Sequence, residues 1–362
     1  MKRPRTTSWL QNIPAYVPGT SKDTIMERYG VSDPIKLASN ENPLGPSPKA
    51  LNAIDTVKKA AHIYPDPDAV QLRKAAAAFF GCTAEQIVAG NGSDEIIDLF
   101  CRAYIEPGDE VIIPACTFSY YKIAALACGA RVITSSMKGQ TIDSEDILRH
   151  VSTRTKLIFV ANPNNPTGTY LTKDEIMDLA LKVPGNTLLV IDEAYAAFVR
   201  QDDFLSATSL LRDHPHVVTI HTLSKSHGLA GLRVGFGIAH ETIMQNLYRI
   251  KPPFNVNILA LKAGEAALYD KEFLQQTLEN TWEGLDYLYN EIGRLGLEYI
   301  PSQTNFVLIR IGNDAAGVYE RLLKKGIITR SMASYGLDEY IRVSIGLPHE
   351  NRAFITHLEE IL

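Results

Sequence analysis

Lys225 follows a run of apolar and β-branched residues and opens the segment Lys225-Ser-His-Gly228-Leu-Ala-Gly231-Leu-Arg233-Val-Gly235, with Thr222-Leu-Ser224 just before it. Such a run reads as a buried strand, and an ammonium group is costly to bury. A lysine at a strand end ordinarily lies on the surface. Three neighbours argue for another use here: Ser224 before it, a glycine-rich turn after it, and Arg233 eight residues on. A lysine that forms a Schiff base needs a partly desolvated site, and a nearby cation lowers its pKa further. Arg233 and the Ser224 hydroxyl can clamp a phosphate beside it.

Three further segments sit where a parallel sheet presents its ligand edge. Val190-Ile191-Asp192-Glu193-Ala194-Tyr195 closes an apolar run with an acidic pair. Ligands of open α/β sheets bind outside the carboxyl ends of the strands, so Asp192 can pair with a cationic ring nitrogen and Tyr195 can donate to a ring oxygen. The plain alternative for Asp192 is a strand-end cap. Asn162-Pro163-Asn164-Asn165-Pro166-Thr167-Gly168 reads as a turn, and Asn165 can present an amide from it. Gly90-Asn91-Gly92-Ser93-Asp94-Glu95 joins a strand to a helix, so free backbone N–H groups and the positive helix end can meet a phosphate at Gly92, Ser93 and Asp94. An ordinary turn with Ser93 as cap competes with that reading. The dinucleotide pattern G-x-G-x-x-G fails because position 95 is Glu, and no Walker A sequence occurs.

The elements that must position these groups alternate. Apolar runs at 86–89, 110–114, 131–134, 157–161, 187–191, 217–221 and 234–238 are separated by helical periodicity near 69–80, 94–104, 119–128, 173–182 and 242–250. The expected fold is α/β, with a mostly parallel central sheet covered by helices. After Pro252-Pro253 the pattern changes to a long helical stretch over 257–295, broken near Asp270. Short strands at 306–311 and 340–345 follow, with helices near 314–325 and 349–361. The chain therefore divides into an extended N-terminal arm (1–48) that contributes to the small domain, a large domain (49–255) and a smaller α+β domain (256–362). Its 362 residues exceed what one core usually supports.

Composition excludes several classes. A net charge of −5 argues against a protein whose whole surface serves nucleic acid. The first 48 residues are too short and Pro-rich for a helix-turn-helix, which disfavours a cofactor-binding regulator. Cys82, Cys101, Cys116 and Cys128 form no C-x-x-C pair, which disfavours a zinc site or a secreted disulfide scaffold. The basic N-terminus lacks a following apolar segment, and no run approaches membrane-spanning length. The expectation is a cytoplasmic protein without metal, membrane or nucleic-acid partners.

Together and in this order, the phosphate turn, N-P-T-G turn, D-x-x-Y, S-K with its later Arg, and a C-terminal Arg resemble the fold-type I, class I/II aminotransferases, which use pyridoxal 5′-phosphate (PLP), over almost the whole chain. Within that group Pro14-Ala-Tyr16-Val-Pro18-Gly19, Leu37-Ala-Ser-Asn40-Glu41-Asn42-Pro43, Tyr64-Pro65-Asp66 and Leu223-Ser-Lys225 are similar to the histidinol-phosphate aminotransferase family. The resemblance implies a large PLP-binding domain, Lys225 carrying the cofactor, and a homodimer with active sites at the subunit interface. It also implies that Tyr64 reaches the other subunit's cofactor phosphate and that Phe118 stacks on the pyridine ring. Tyr16, Asn42, Arg330 and Arg342 would bind substrate, with Arg342 on an α-carboxylate and Arg330 on the substrate phosphate. The implied reaction is ping-pong transamination between histidinol phosphate and 2-oxoglutarate, yielding imidazole-acetol phosphate and glutamate, in histidine biosynthesis. Aromatic-amino-acid aminotransferases would keep the cofactor residues, and a threonine-phosphate decarboxylase would release carbon dioxide.

Overall fold

The chain's structure is a computed structural model that describes residues 5–13, 15 and 19–362. Seven strands make the central sheet: β1 (Ile87–Asn91), β2 (Glu110–Pro114), β3 (Arg131–Ser135), β4 (Thr155–Ala161), β5 (Leu188–Asp192), β6 (Val217–Thr222) and β7 (Val234–Ala239). Their order is β1-β7-β6-β5-β4-β2-β3. β3, β2, β4, β5 and β6 run parallel, and β7 runs antiparallel to both β6 and β1. The sheet is thus mixed, with one reversed strand.

Its strands read as unbroken apolar runs because both faces are covered. Along β4, Ile158 and Val160 join the apolar cluster of one face, while Leu157 and Phe159 join that of the other. That is the two-residue alternation of a strand, with apolar neighbours on either side.

Reversal of β7 has a positional result. Gly235 pairs with Thr222 and Val234 with Asn91, so the start of β7 lies beside the ends of β6 and β1. Arg233 is thereby delivered to the same sheet edge as the residues that follow β1, β4, β5 and β6. Gly235 makes the approach possible, since a Cβ there would sit 2.5 Å from the Ser93 backbone nitrogen.

The long helical stretch is two helices. α2 (Ile258–Leu268) and α3 (Lys271–Arg294) follow one another, and Asp270 caps the second by accepting from Phe273 N. Ala260, Ala263 and Ala267 of α2 pack in the core of the large sheet with Leu72 and Ala76. By packing, α2 lies with the large sheet. Periodicity announces such a helix but not which sheet it covers.

The small unit holds an antiparallel sheet of β8 (Glu298–Ile300), β9 (Phe306–Arg310), β10 (Arg330–Ser331) and β11 (Tyr340–Ser344), in the order β8-β9-β11-β10. The N-terminal arm joins this unit through Ile35–Lys36, which pairs in parallel with Ile327–Ile328, and through Leu37, buried in the small core. The arm is not extended throughout. Lys22–Tyr29 forms a helix, capped by Ser21 accepting from Thr24 N and closed by Gly30 in the left-handed region.

Candidate active site

A cavity opens where the carboxyl ends of β1, β4, β5 and β6 meet the arm and the small sheet. It is lined by Ser93, Asp94, Phe118, Asn165, Asp192, Tyr195, Ser224, Lys225, Arg233, Arg330 and Arg342. Residues expected from four separate sequence segments and from the C-terminal arginines are here in one place.

Lys225 Nζ donates to the Ser39 carbonyl at 3.1 Å. Burial, then the positive charge of Arg342, lowers its pKa to about 8. The amine therefore loses its proton more readily than an ordinary lysine, as suits a nucleophile or a proton acceptor.

Asp192 is buried at the end of β5, and burial raises its pKa to about 6. Two donors oppose that shift: Tyr121 Oη at 2.6 Å on Oδ2, and Ala194 N at 3.0 Å on Oδ1. Glu193, the other half of the acidic pair, serves a different end. Its carboxylate accepts from Ser206 Oγ and Ala207 N, both at 2.6 Å, and pins that loop under the sheet. Burial pushes it up to about 7.

The turn after β1 starts α1 (Ser93–Tyr104). Gly92 itself does not line the cavity. Its φ of 81° favours glycine, and a Cβ there would lie 2.5 Å from Arg233 Nη2. Arg233, in the left-handed region at φ 59°, donates to Asp94 Oδ2 at 3.1 Å and to Ala230 O at 3.1 Å. The helix N-terminus, Arg233 and Ser224 form a cradle of donors suited to a phosphate.

The opposite wall carries two more cations. Arg330 and Arg342 are directly paired across β10 and β11. Both line the cavity. Arg342 donates through Nη2 to Ala38 O at 2.8 Å and through Nη1 to Asn165 Oδ1, and its guanidinium lies 4.9 Å from the Phe306 ring centre. Because Asn165 Oδ1 accepts from a group that only donates, Nδ2 is the atom left to donate to a ligand.

Two more expected residues, Asn42 and Tyr64, are elsewhere. Asn42 does not line this cavity: its amide donates to Thr277 Oγ1 at 3.0 Å and to Ser226 O at 3.4 Å. Asn40, two residues earlier, lines it instead. Tyr64 is 80% exposed and stacks on Phe254 with ring centres 4.7 Å apart. Tyr16 lies outside the described residues. Conversely, Asn40, Tyr121 and Tyr335 line the cavity without having been singled out. Tyr121 reads as a core aromatic, stacked on Phe159, and only its hydroxyl on Asp192 reveals more.

Among the described residues no His/Cys/Asp/Glu cluster could hold a metal, and no helix is long and apolar enough to cross a membrane. Residues 32–358 match the family model described as aminotransferase class I and II. The histidinol-phosphate aminotransferase of Bdellovibrio bacteriovorus is 43% identical over 361 residues, covering 98% of this chain and 97% of that one. The enzyme of the same name from Moorella thermoacetica is 40% identical, covering 99% and 93%. The crystal structure of histidinol-phosphate aminotransferase from Sinorhizobium meliloti in complex with pyridoxal-5′-phosphate superposes with a TM-score of 0.91 at 27% identity, over 99% of this chain and 98% of that one.

Proposed function

This chain belongs to the class I and II aminotransferases, and on that premise we propose that it transfers an amino group between histidinol phosphate and 2-oxoglutarate, with PLP as cofactor, in histidine biosynthesis. The observation that carries the proposal is one cavity holding a half-buried lysine with a lowered pKa, a buried carboxylate, a phosphate cradle and a separate pair of arginines. A single-anion ligand would leave one set of donors unused. A cofactor phosphate and a substrate phosphate use both.

The donor set fits PLP. Lys225 would carry it and Asp192 would face the ring nitrogen. Ser93, Asp94, Ser224 and Arg233 would hold the phosphate, Phe118 would cover the ring, and Asn165 and Tyr195 would meet the phenolic oxygen. When bound, the cofactor supplies an electron sink for the charge left at substrate Cα. Lys225 Nζ, as a free amine, would take the proton from substrate Cα and hold it for return. Tyr121 Oη and Ala194 N keep the Asp192 carboxylate ionised against burial, so that it can favour a protonated ring nitrogen. Arg330 takes the substrate phosphate, and Arg342 takes an α-carboxylate.

The active unit is a homodimer, in the cytoplasm. Tyr64, Ile63 and Phe254 are exposed apolar side chains near one another in sequence or space, which suits a surface that a second copy covers. Tyr64 then acts on the partner's cofactor phosphate.

Half-reaction spectra of the PLP-loaded protein with histidinol phosphate, phenylalanine and glutamate test the substrate. Faster conversion by phenylalanine than by histidinol phosphate would make it an aromatic-amino-acid aminotransferase. Release of carbon dioxide from threonine phosphate would make it a decarboxylase.

A further inference from the structure

Three consecutive arm residues each meet one side chain of the site. Ala38 O accepts from Arg342, Ser39 O from Lys225, and Asn40 Nδ2 donates to Tyr195 Oη at 2.9 Å. The last contact has a direction that can be worked out.

Asn40 N–H donates to Ser344 Oγ at 2.8 Å, and a backbone N–H can only donate. Ser344 is 3% exposed, so its own hydrogen needs a protein acceptor. Among the described residues that acceptor is Asn40 Oδ1, at 2.9 Å. With Oδ1 committed to Ser344, Nδ2 faces Tyr195, and Tyr195 Oη accepts. The reverse amide orientation would strand the Ser344 hydrogen. Asn40 is itself held by Asn305 Nδ2 on its carbonyl at 3.1 Å, and it occupies φ 54°, a conformation that Asn tolerates.

We propose that Asn40 is a positioning residue that fixes the Tyr195 hydroxyl as a donor into the cavity. Ser344 donates to Asn40, Asn40 donates to Tyr195, and Tyr195 donates to the ligand. The inference rests on the PLP reading above, in which Tyr195 meets the cofactor's phenolic oxygen. Ser344 stands two residues after Arg342 on β11, so one strand carries both the substrate's anion contact and the start of this relay. The arm is the piece that joins them.

The test is the pH midpoint of the bound cofactor's visible absorbance, measured on PLP-loaded protein. A donor on the phenolic oxygen stabilises the form that has lost its proton, so losing the donor raises the midpoint. Asn40→Asp keeps the acceptor for Ser344 and replaces the donor facing Tyr195 with a second acceptor, which turns the Tyr195 hydrogen away from the cavity. The midpoint should rise by about one pH unit or more, as in Tyr195→Phe. The double variant should rise no further than Tyr195→Phe alone. An unmoved midpoint in Asn40→Asp overturns the proposal. So does an equal rise in the Tyr195→Phe background, which would mark a bare charge effect. If Asn40→Asp does not fold, Ser344→Ala removes the group that orients the amide, and its midpoint should rise by a smaller amount; no rise there overturns the proposal equally. Wild-type protein that takes up no PLP, or whose PLP borohydride does not fix to Lys225, overturns the parent reading and this one with it. A wild type that titrates beside variants that do not move overturns this one alone.

Discussion

The cavity's two walls are built differently. On the large-sheet side, Ser93, Asp192, Lys225 and Arg233 stand within three residues of strands β1, β5, β6 and β7, whose interior residues are buried. On the other side, Ala38–Asn40 of the arm, Arg330 on two-residue β10 and Arg342 on β11 come from chain segments about 300 residues apart, as the 304-residue separation of Asn40 and Ser344 measures. The first wall is braced by a sheet core, and its chemistry is common to many substrates. The second is assembled from the arm, the edge strand β10 and its inner neighbour β11. The two walls are differently supported, and the arm ties them together where Ser39 O accepts from Lys225 and Asn40 donates to Tyr195.

The sharpest break should come on the braced wall. Lys225→Ala removes both the attachment point and the proton carrier, and turnover should fall by roughly 10⁴-fold or more. Single-turnover rates read this, and near-wild-type transamination would remove Lys225 from the mechanism. Asp192→Ala should lower kcat by roughly 10²–10³-fold with a smaller change in KM, because the ring nitrogen loses its ionic partner. An unchanged kcat would make Asp192 a strand-end cap.

On the assembled wall the effects should depend on the substrate. Arg330→Ala should lose roughly a hundredfold in kcat/KM for histidinol phosphate, with a much smaller change for phenylalanine, which has no phosphate. Arg342→Ala should weaken every α-carboxylate donor. If histidinol phosphate turnover survives Arg330→Ala and is abolished by Arg342→Ala, the two assignments exchange.

Smaller effects sharpen the contrast. Lys225 must be unprotonated to capture PLP, and its pKa is lowered to about 8. The rate of PLP uptake by cofactor-free protein should therefore rise with pH through about 8, reaching its plateau where an ordinary lysine would still be protonated. A rate still climbing through 10 would deny the shift. The subtlest test is complementation. Mixing Lys225→Ala with a Tyr64 variant should recover some activity in hybrid dimers, since one site is then free of both lesions. Hybrids shown to form without recovery would confine Tyr64 to its own subunit.

The braced wall was readable in the sequence because its signals are local. A run of apolar residues ending in Asp192 or Lys225 marks a strand and its tip together, and β2 matches its apolar run at both ends. The other wall depends on contacts distant in sequence. The N-E-N motif offers Asn40 and Asn42 alike; only the packing of the arm on β11 turns Asn40 into the cavity and Asn42 toward Thr277. Tyr121 carries no local mark that separates it from a core tyrosine. Helix Lys22–Tyr29 is a different case, for Ser21 and Gly30 were visible as its caps, while the surrounding Pro, Asn and Gly read as extended chain. The reversal of β7 is likewise silent in composition, because a strand buried on both faces looks the same in either direction.

The 304 residues between Asn40 and Ser344 also impose an order on synthesis. When Arg233 and β7 leave the ribosome, every large-sheet contributor to the phosphate cradle already exists in the nascent chain. Asn40 was made long before, yet the serine that orients it is still to come. The arm must wait, with its half of the relay uncommitted, while α2, α3 and most of the small sheet are translated.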